Sequence, residues 1–284
     1  MVEEASRRAL LDSLHKACFE IIPLKGIEAK VGHIPAGSEV AISCSPEKGI
    51  QVTIDLARQL NDRGFELIPH VAARGVENEE HLRDILGQLN ELGVDRLFVV
   101  GGDAEQPAGP FDSSLQLLEA MSAIDHGIET IGVGAYPEGH PLIDDQSLFS
   151  FLQRKQPFAA YMVTQMCFDA TAIGSWLRKI RSEGINLPVQ IGIPGVGDRA
   201  KLFRIALRIG VGQSTRFLKS NLKLVGKMAR PHGYSPDDLV LDLSPIMADA
   251  ANRITALHLY TFNQLDTTEK WRLRMINELE GGSA

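Results

Sequence analysis

The 284-residue chain carries only three cysteines, Cys18, Cys44 and Cys167. They are too few and too scattered for a disulfide framework, which excludes a stapled secreted scaffold and makes a reducing cytoplasm the expected setting. Long apolar runs are missing too, and the opening MVEEASRRALLDSLHK is charged throughout, so neither a spanning helix nor a secretory leader is expected. Positive charge is short: 29 Lys and Arg against 36 Asp and Glu leave a net charge of −7, which argues against nucleic acid as a partner. A small anionic ligand stays open, because backbone amides and a few local charges suffice to hold one. Absent motifs narrow the chemistry further. No G-x-G-x-x-G follows the first strand-like run, and there is no Walker loop and no G-x-S-x-G. The common dinucleotide-fold, NTPase and serine-hydrolase readings therefore lack their signatures.

What is present is alternation. A hydrophobic share of 44% with 23% charged residues is ordinary for a globular chain, and the length suffices for one large domain with a full core. Eight short apolar runs read as strands: 16–22, 39–44, 65–71, 95–100, 129–136, 159–165, 188–193 and 256–262. Between them lie stretches of helical period. GIQVTIDLARQLNDRG closes at Gly64, NEEHLRDILGQLNELG opens at Asn78 and closes at Gly93, and a third runs from a capping Asp169 to Gly184. The segment between the last two strands has room for two helices, broken by RPHGYSP at 230–236. Strand–helix alternation of this kind means a parallel sheet covered by helices. Eight units fit a (β/α)8 TIM barrel, read as a single domain over residues 1–284 with 1–15 as an N-terminal helical extension. An open doubly wound sheet is the structural alternative, since periodicity alone does not close a barrel.

In a barrel the chemistry sits at the carboxyl ends of the strands. Those ends carry Glu20, Ser43, His70, Asp103, Tyr136 with His140, Gln165 and Asn263. Glu20 stands out, because it interrupts the apolar run CFEIIP. Burial of an unpaired carboxylate raises its pKa, the mark of a proton donor. Each residue also has a plainer reading. A lone buried histidine such as His70 is most simply a core group, Asp103 after VVGG can cap the next turn, and the cysteines serve as small core residues. Cys44, His70 and Asp103 have no recognised metal-ligand spacing. The weight lies in so many polar residues falling at strand ends together.

Those residues also carry a resemblance. FEIIP, PHVAARG, LFVVGGD, GAYPEGHP, MVTQMCFD, IGIPGV and LHLYTFNQ, in that order from about residue 19 to 264, resemble the methylenetetrahydrofolate reductase family. AYPEGHP and the Thr164–Asp169 segment are the more specific of these. The resemblance implies reduction of 5,10-methylenetetrahydrofolate to 5-methyltetrahydrofolate in one-carbon metabolism and methionine biosynthesis. It implies NADH or NADPH as reductant, FAD as carrier, and a cytoplasmic enzyme with folate as partner, free of membrane and nucleic acid, with a homo-oligomer an open option. It makes Glu20 the general acid and places Asp103 beside both flavin and pterin, where its charge tunes hydride transfer. Gln165 is matched to the pterin's amide edge. Ser43, His70, Tyr136, His140 and Arg154 are implied as flavin contacts.

Three departures bear on the cofactor. Val100 precedes Gly101-Gly102-Asp103 where the family has an arginine, Gln264 follows Asn263 where it also has an arginine, and the helix after AYPEGHP keeps only Arg154 and Lys155 of its polar contacts. A flavin-independent version, with nicotinamide passing hydride directly to folate, fits the same pocket. Further alternatives are a reductase of another C1-carrying pterin and a non-catalytic folate-binding protein. Keeping Glu20, Asp103 and Gln165 together argues against the last, since binding alone needs no buried acid.

Overall fold

A computed structural model describes residues 3–44, 48–140, 142–196 and 235–281. All eight apolar runs form strands: β1 (Cys18–Ile21), β2 (Glu39–Ile42), β3 (Glu66–Ala72), β4 (Arg96–Val100), β5 (Thr130–Ala135), β6 (Tyr161–Thr164), β7 (Val189–Pro194) and β8 (Ile254–Tyr260). Each pairs in parallel with its sequence neighbour, and β8 returns to β1 through Cys18–His258, Phe19–Leu259 and Glu20–Tyr260. That last pairing closes the barrel and eliminates the open sheet.

The helices begin and end where local chemistry dictates. Asn78 accepts the His81 N–H at 2.8 Å to start α3 (Glu79–Glu91), and Asp169 accepts the Thr171 and Ala172 N–H groups to start α6 (Ala170–Ser182). Helix α2 (Gln51–Leu60) lacks a side-chain cap and ends through a short 3-10 turn at Gly64, where φ is +74°. The remaining described helices are α1 (Glu4–His15), α4 (Ser114–Met121), α5 (Asp145–Lys155), α7 (Asp237–Ala248) and α8 (Leu265–Leu279). Helix α1, the expected N-terminal extension, packs on α7, β8 and α8.

One expected unit differs. Strand β1 is followed by no α-helix, only by the 3-10 turn Val31–His33. Pro23, Gly26, Pro35 and Gly37 divide residues 22–38 into pieces too short to propagate a helix. Of the stretch expected to hold two helices, α7 is described, and it starts just after the proposed break. Residues 197–234 of that stretch, with most of the proposed break, lie outside the described residues.

Alternate positions of each strand point inward and stack in layers. The middle of the barrel is filled by Cys18, Ala41, Ile68, Phe98 and Val163, with Val100 and Tyr161 against them. Gly132 makes room for two of these rings: a Cβ there would come within 2.4 Å of the Tyr161 ring and 2.7 Å of Phe98. The cysteines follow the expectation of core residues, Cys18 and Cys167 buried and Cys44 half-buried. At the amino end of the barrel Arg96 pairs with Glu39 and, at 3.3 Å, with Glu66, while Gln190 donates to Glu39 at 3.0 Å. This polar floor lies at the end of the barrel associated with stability, which leaves the carboxyl mouth for chemistry.

Candidate active site

Glu20 is the third residue of β1 and points inward. Its carboxylate lies 3.1 Å from His258 Nε2 on β8, and the two side chains are 14% and 3% exposed. The same end of β8 fixes the backbone around Glu20. Thr261 Oγ1 donates to the Glu20 carbonyl at 2.6 Å, while Asn263 accepts the Ile22 N–H at 2.8 Å and donates to the Ile22 carbonyl at 2.9 Å. Asn263 thereby extends the β8–β1 ladder with a side chain that imitates a strand. Holding it there puts Phe262 and Asn263 at φ of +50° and +62°, and asparagine tolerates this region better than most residues. Asn263, met in the sequence as a polar strand end, is a clamp behind Glu20.

The electrostatics correct one expectation. Burial pushes the Glu20 carboxyl upward. The hydrogen bond from His258 and the charges of His70 and His258 outweigh that push, and the group is held below the usual carboxylate range. Burial takes His70 down to about 4, so it is neutral at neutral pH and His258 is the partner that counts. Glu20 is therefore not an acid kept protonated by burial alone. It is a paired carboxylate, and the pairing residue sits on the opposite end of the sequence.

His70 lies on β3 at 6% exposure against the Phe98 ring, with centroids 4.7 Å apart. Among the described residues it is not a satisfied core histidine, because its buried Nε2 has no hydrogen-bond partner there. A buried orphan of this kind needs an explanation, and a ligand supplies one. The Ser43 hydroxyl donates to the Ile21 carbonyl at 3.2 Å and ties β2 to β1 just past Glu20.

The loop after β5 answers why a strand should end in YPEGH. Tyr136 accepts the Gly139 N–H at 3.1 Å across a turn with Pro137 in its second place, the position that proline's fixed φ suits. Tyr136 and His140 meet edge to face at 5.0 Å. Burial raises the Tyr136 phenol and lowers the His140 imidazole, and Asp103 pushes both groups upward, which places its charge beside them. Asp103 itself is exposed and caps no turn. Its loop is built by Arg74, whose guanidinium donates to the carbonyls of Ala104, Glu105 and Asp112 at 2.7, 2.8 and 3.2 Å. Gln165 accepts the Met166 N–H at 2.8 Å, and its amide nitrogen has no partner among the described residues. A donor is left facing the mouth.

Glu20, Ser43, His70, Asp103, Tyr136, His140 and Gln165 thus all stand at the carboxyl mouth. Arg154 does not join them through any described contact: it lies in the last turn of α5, 58% exposed and 3.5 Å from Glu119 of α4. Lys155 beside it is lowered to about 8 by burial. No cluster of three or more His, Cys, Asp and Glu side chains that could hold a metal occurs among the described residues. Nor is any described helix long and apolar enough to cross a membrane. Residues missed in the sequence are His258, Thr261, Arg74 and Glu138. His258 had a legible signal, a polar residue inside the apolar run LHLY, the same anomaly that exposed Glu20.

Fold and site define a closed (β/α)8 barrel with a carboxylate–histidine pair and further polar groups at its carboxyl mouth. A profile of the family described as methylenetetrahydrofolate reductase matches residues 30–271, and the chain belongs to that family. Over 135 residues it is 31% identical to methylenetetrahydrofolate reductase 1 of Schizosaccharomyces pombe, covering 47% of this chain and 22% of that one. Over 193 residues it is 23% identical to methylenetetrahydrofolate reductase 2 of Saccharomyces cerevisiae, covering 63% of this chain and 32% of that one. The chain thus spans less than a third of the length of either relative. Glu20 lies before the matched span and is bound into it through His258, Thr261 and Asn263.

Proposed function

We propose that this protein reduces 5,10-methylenetetrahydrofolate to 5-methyltetrahydrofolate in the cytoplasm, with NADH or NADPH as reductant and FAD as carrier. The observation that carries the reading is the mouth itself: a buried carboxylate with a histidine partner, beside a histidine nitrogen and an amide donor that lack partners. The flavin fits that mouth, where His70 Nε2 would find a hydrogen bond and Tyr136 and His140 would border the ring. Bound flavin supplies a two-electron store between nicotinamide and folate. The chain's own residues do the rest. Gln165 offers its amide to the pterin, Asp103 places negative charge near the reacting centre, and Glu20 delivers the proton that opens the five-membered ring of the folate.

A flavin-independent reaction is the second reading. It is favoured by Val100 at the family's arginine position and by Arg154 turned to Glu119. The test is oxidation of NADH and NADPH dependent on methylenetetrahydrofolate, with and without added FAD, in wild type and Glu20→Gln. We expect turnover in wild type and a loss of roughly 10²-fold or more in the variant, the scale of a general acid. Absence of folate-dependent oxidation under both conditions would remove the reading.

A further inference from the structure

The donating group is Glu20 in the proposed reaction, yet its surroundings favour the anion. A carboxylate held ionised is a poor acid by itself, so the proton must be stored elsewhere and within reach. The carboxylate has one side-chain hydrogen-bond partner among the described residues, His258 Nε2 at 3.1 Å, and the contact is almost closed to water. The other titratable groups that feel Glu20 are Tyr260 of β8, His70 of β3, Cys18 of β1 and Cys44 just after β2. Burial raises the phenol and both thiols away from neutrality and lowers His70 to about 4, so none of these four exchanges a proton near neutral pH. Imidazole is the side chain whose ordinary range lies there.

Resting on the proposed reductase reading, we infer that the acid is the Glu20–His258 pair, with His258 storing the proton that Glu20 hands to folate. The stored proton is the one on Nε2, the ring nitrogen that faces Glu20. It passes to the carboxylate as the carboxylate gives a proton to the folate. As Glu20 gives it to N10 of the folate, the N10–methylene bond breaks, its electron pair stays on N10, and the iminium forms at N5. Glu20 is left as the anion beside a neutral His258 whose remaining proton is on Nδ1, and solvent restores the Nε2 proton. The architecture supports a fixed pair. His258 and Glu20 come from adjacent, hydrogen-bonded strands, and Thr261 and Asn263 pin the backbone on the Glu20 side. Among the described residues His258 Nδ1 is buried with no hydrogen-bond partner, so none of them competes with Glu20 for the ring.

The test joins kinetics to a titration that does not need turnover. His258→Gln keeps a donor for the carboxylate but carries no exchangeable charge. Its kcat/KM for methylenetetrahydrofolate should lose activity on the alkaline side at a pH about one unit or more below wild type, with thermal unfolding reported beside it. A merely structural histidine would lower the rate and leave the pH profile in place, which overturns the inference. Independently, NMR titration of the His258 ring in the folded protein should give a lower pKa in Glu20→Gln than in wild type, and equal values overturn the pairing. Coupled titration in a wild type that shows no folate turnover would reject the reductase reading together with this inference. An uncoupled ring in an active enzyme would reject the inference alone.

Discussion

At the scale of single residues, the site separates groups already committed to the fold from groups with capacity to spare. Asn263, Thr261 and Arg74 spend their hydrogen bonds on backbone, and Ser43 spends its donor there. His70 Nε2 and the Gln165 amide nitrogen do not. Capacity left over at the carboxyl mouth is where a ligand gains most, because a buried partner is costly to leave unpaired. Replacing Gln165 by alanine should therefore weaken folate binding by about 5- to 150-fold, the range set by one to three kcal/mol for a paired hydrogen bond in a buried site. Equal folate affinity in the two proteins, measured by equilibrium titration, would put the pterin elsewhere. Glu20 was legible in the sequence as a carboxylate in an apolar run. The downward pull on its carboxyl was not, because that comes from a histidine 238 positions away.

At the scale of elements, the turn after β5 is joined to the start of α6 by Glu138. Its Oε1 accepts the Phe168 and Asp169 N–H groups at 2.9 and 3.0 Å, while Oε2 is buried with no partner among the described residues. Burial raises the carboxyl to about 7; the two backbone bonds pull it down, and the charge of Asp169 pushes it up. An unfolded glutamate titrates near 4.3, so the folded state favours the protonated form. The stability it contributes is complete below that value and is lost as pH rises through about 7. Glu138→Gln keeps the acceptor oxygen and removes the charge. Its melting temperature should gain on wild type as pH is raised from about 4 to about 8, by roughly 2–4 °C for each kcal/mol. A constant difference across that range would show that Glu138 carries no raised pKa. The turn itself was readable, since Pro137 and Gly139 mark it. Its attachment to α6 was not, because a glutamate in a loop has no sequence sign of what it will accept.

At the scale of the whole molecule, the mouth keeps the expected isoalloxazine-side residues together, whereas Arg154 is engaged on the exterior of α5. We predict that FAD is held loosely, its ring site near His70, Tyr136 and His140 better preserved than its phosphate grip. Losing one or two charge-assisted contacts, each about 1.5–3 kcal/mol, weakens binding by orders of magnitude. The purified protein should be pale or colourless, and added FAD should restore both yellow colour and activity. Full activity in flavin-free protein, unchanged by FAD, would establish the direct-transfer reading in its place.

Period and punctuation were settled by the chain itself. Alternating apolar positions place Glu20 and His70 on the inward face of their strands, and Asn78, Asp169 and Gly64 mark helix ends by local hydrogen bonding and backbone freedom alone. The helix absent after β1 was not expected from the alternation, although Pro23, Gly26, Pro35 and Gly37 are its physical cause. What required the tertiary structure was every relation between distant strands. Closure rests on β8 meeting β1, and that same pairing sets His258 against Glu20, Thr261 against its carbonyl and Asn263 against Ile22. Local pattern fixes which way a side chain faces. Its charge state is decided by what lies within a few ångströms in a low-dielectric interior, and only the closed barrel brings those groups together.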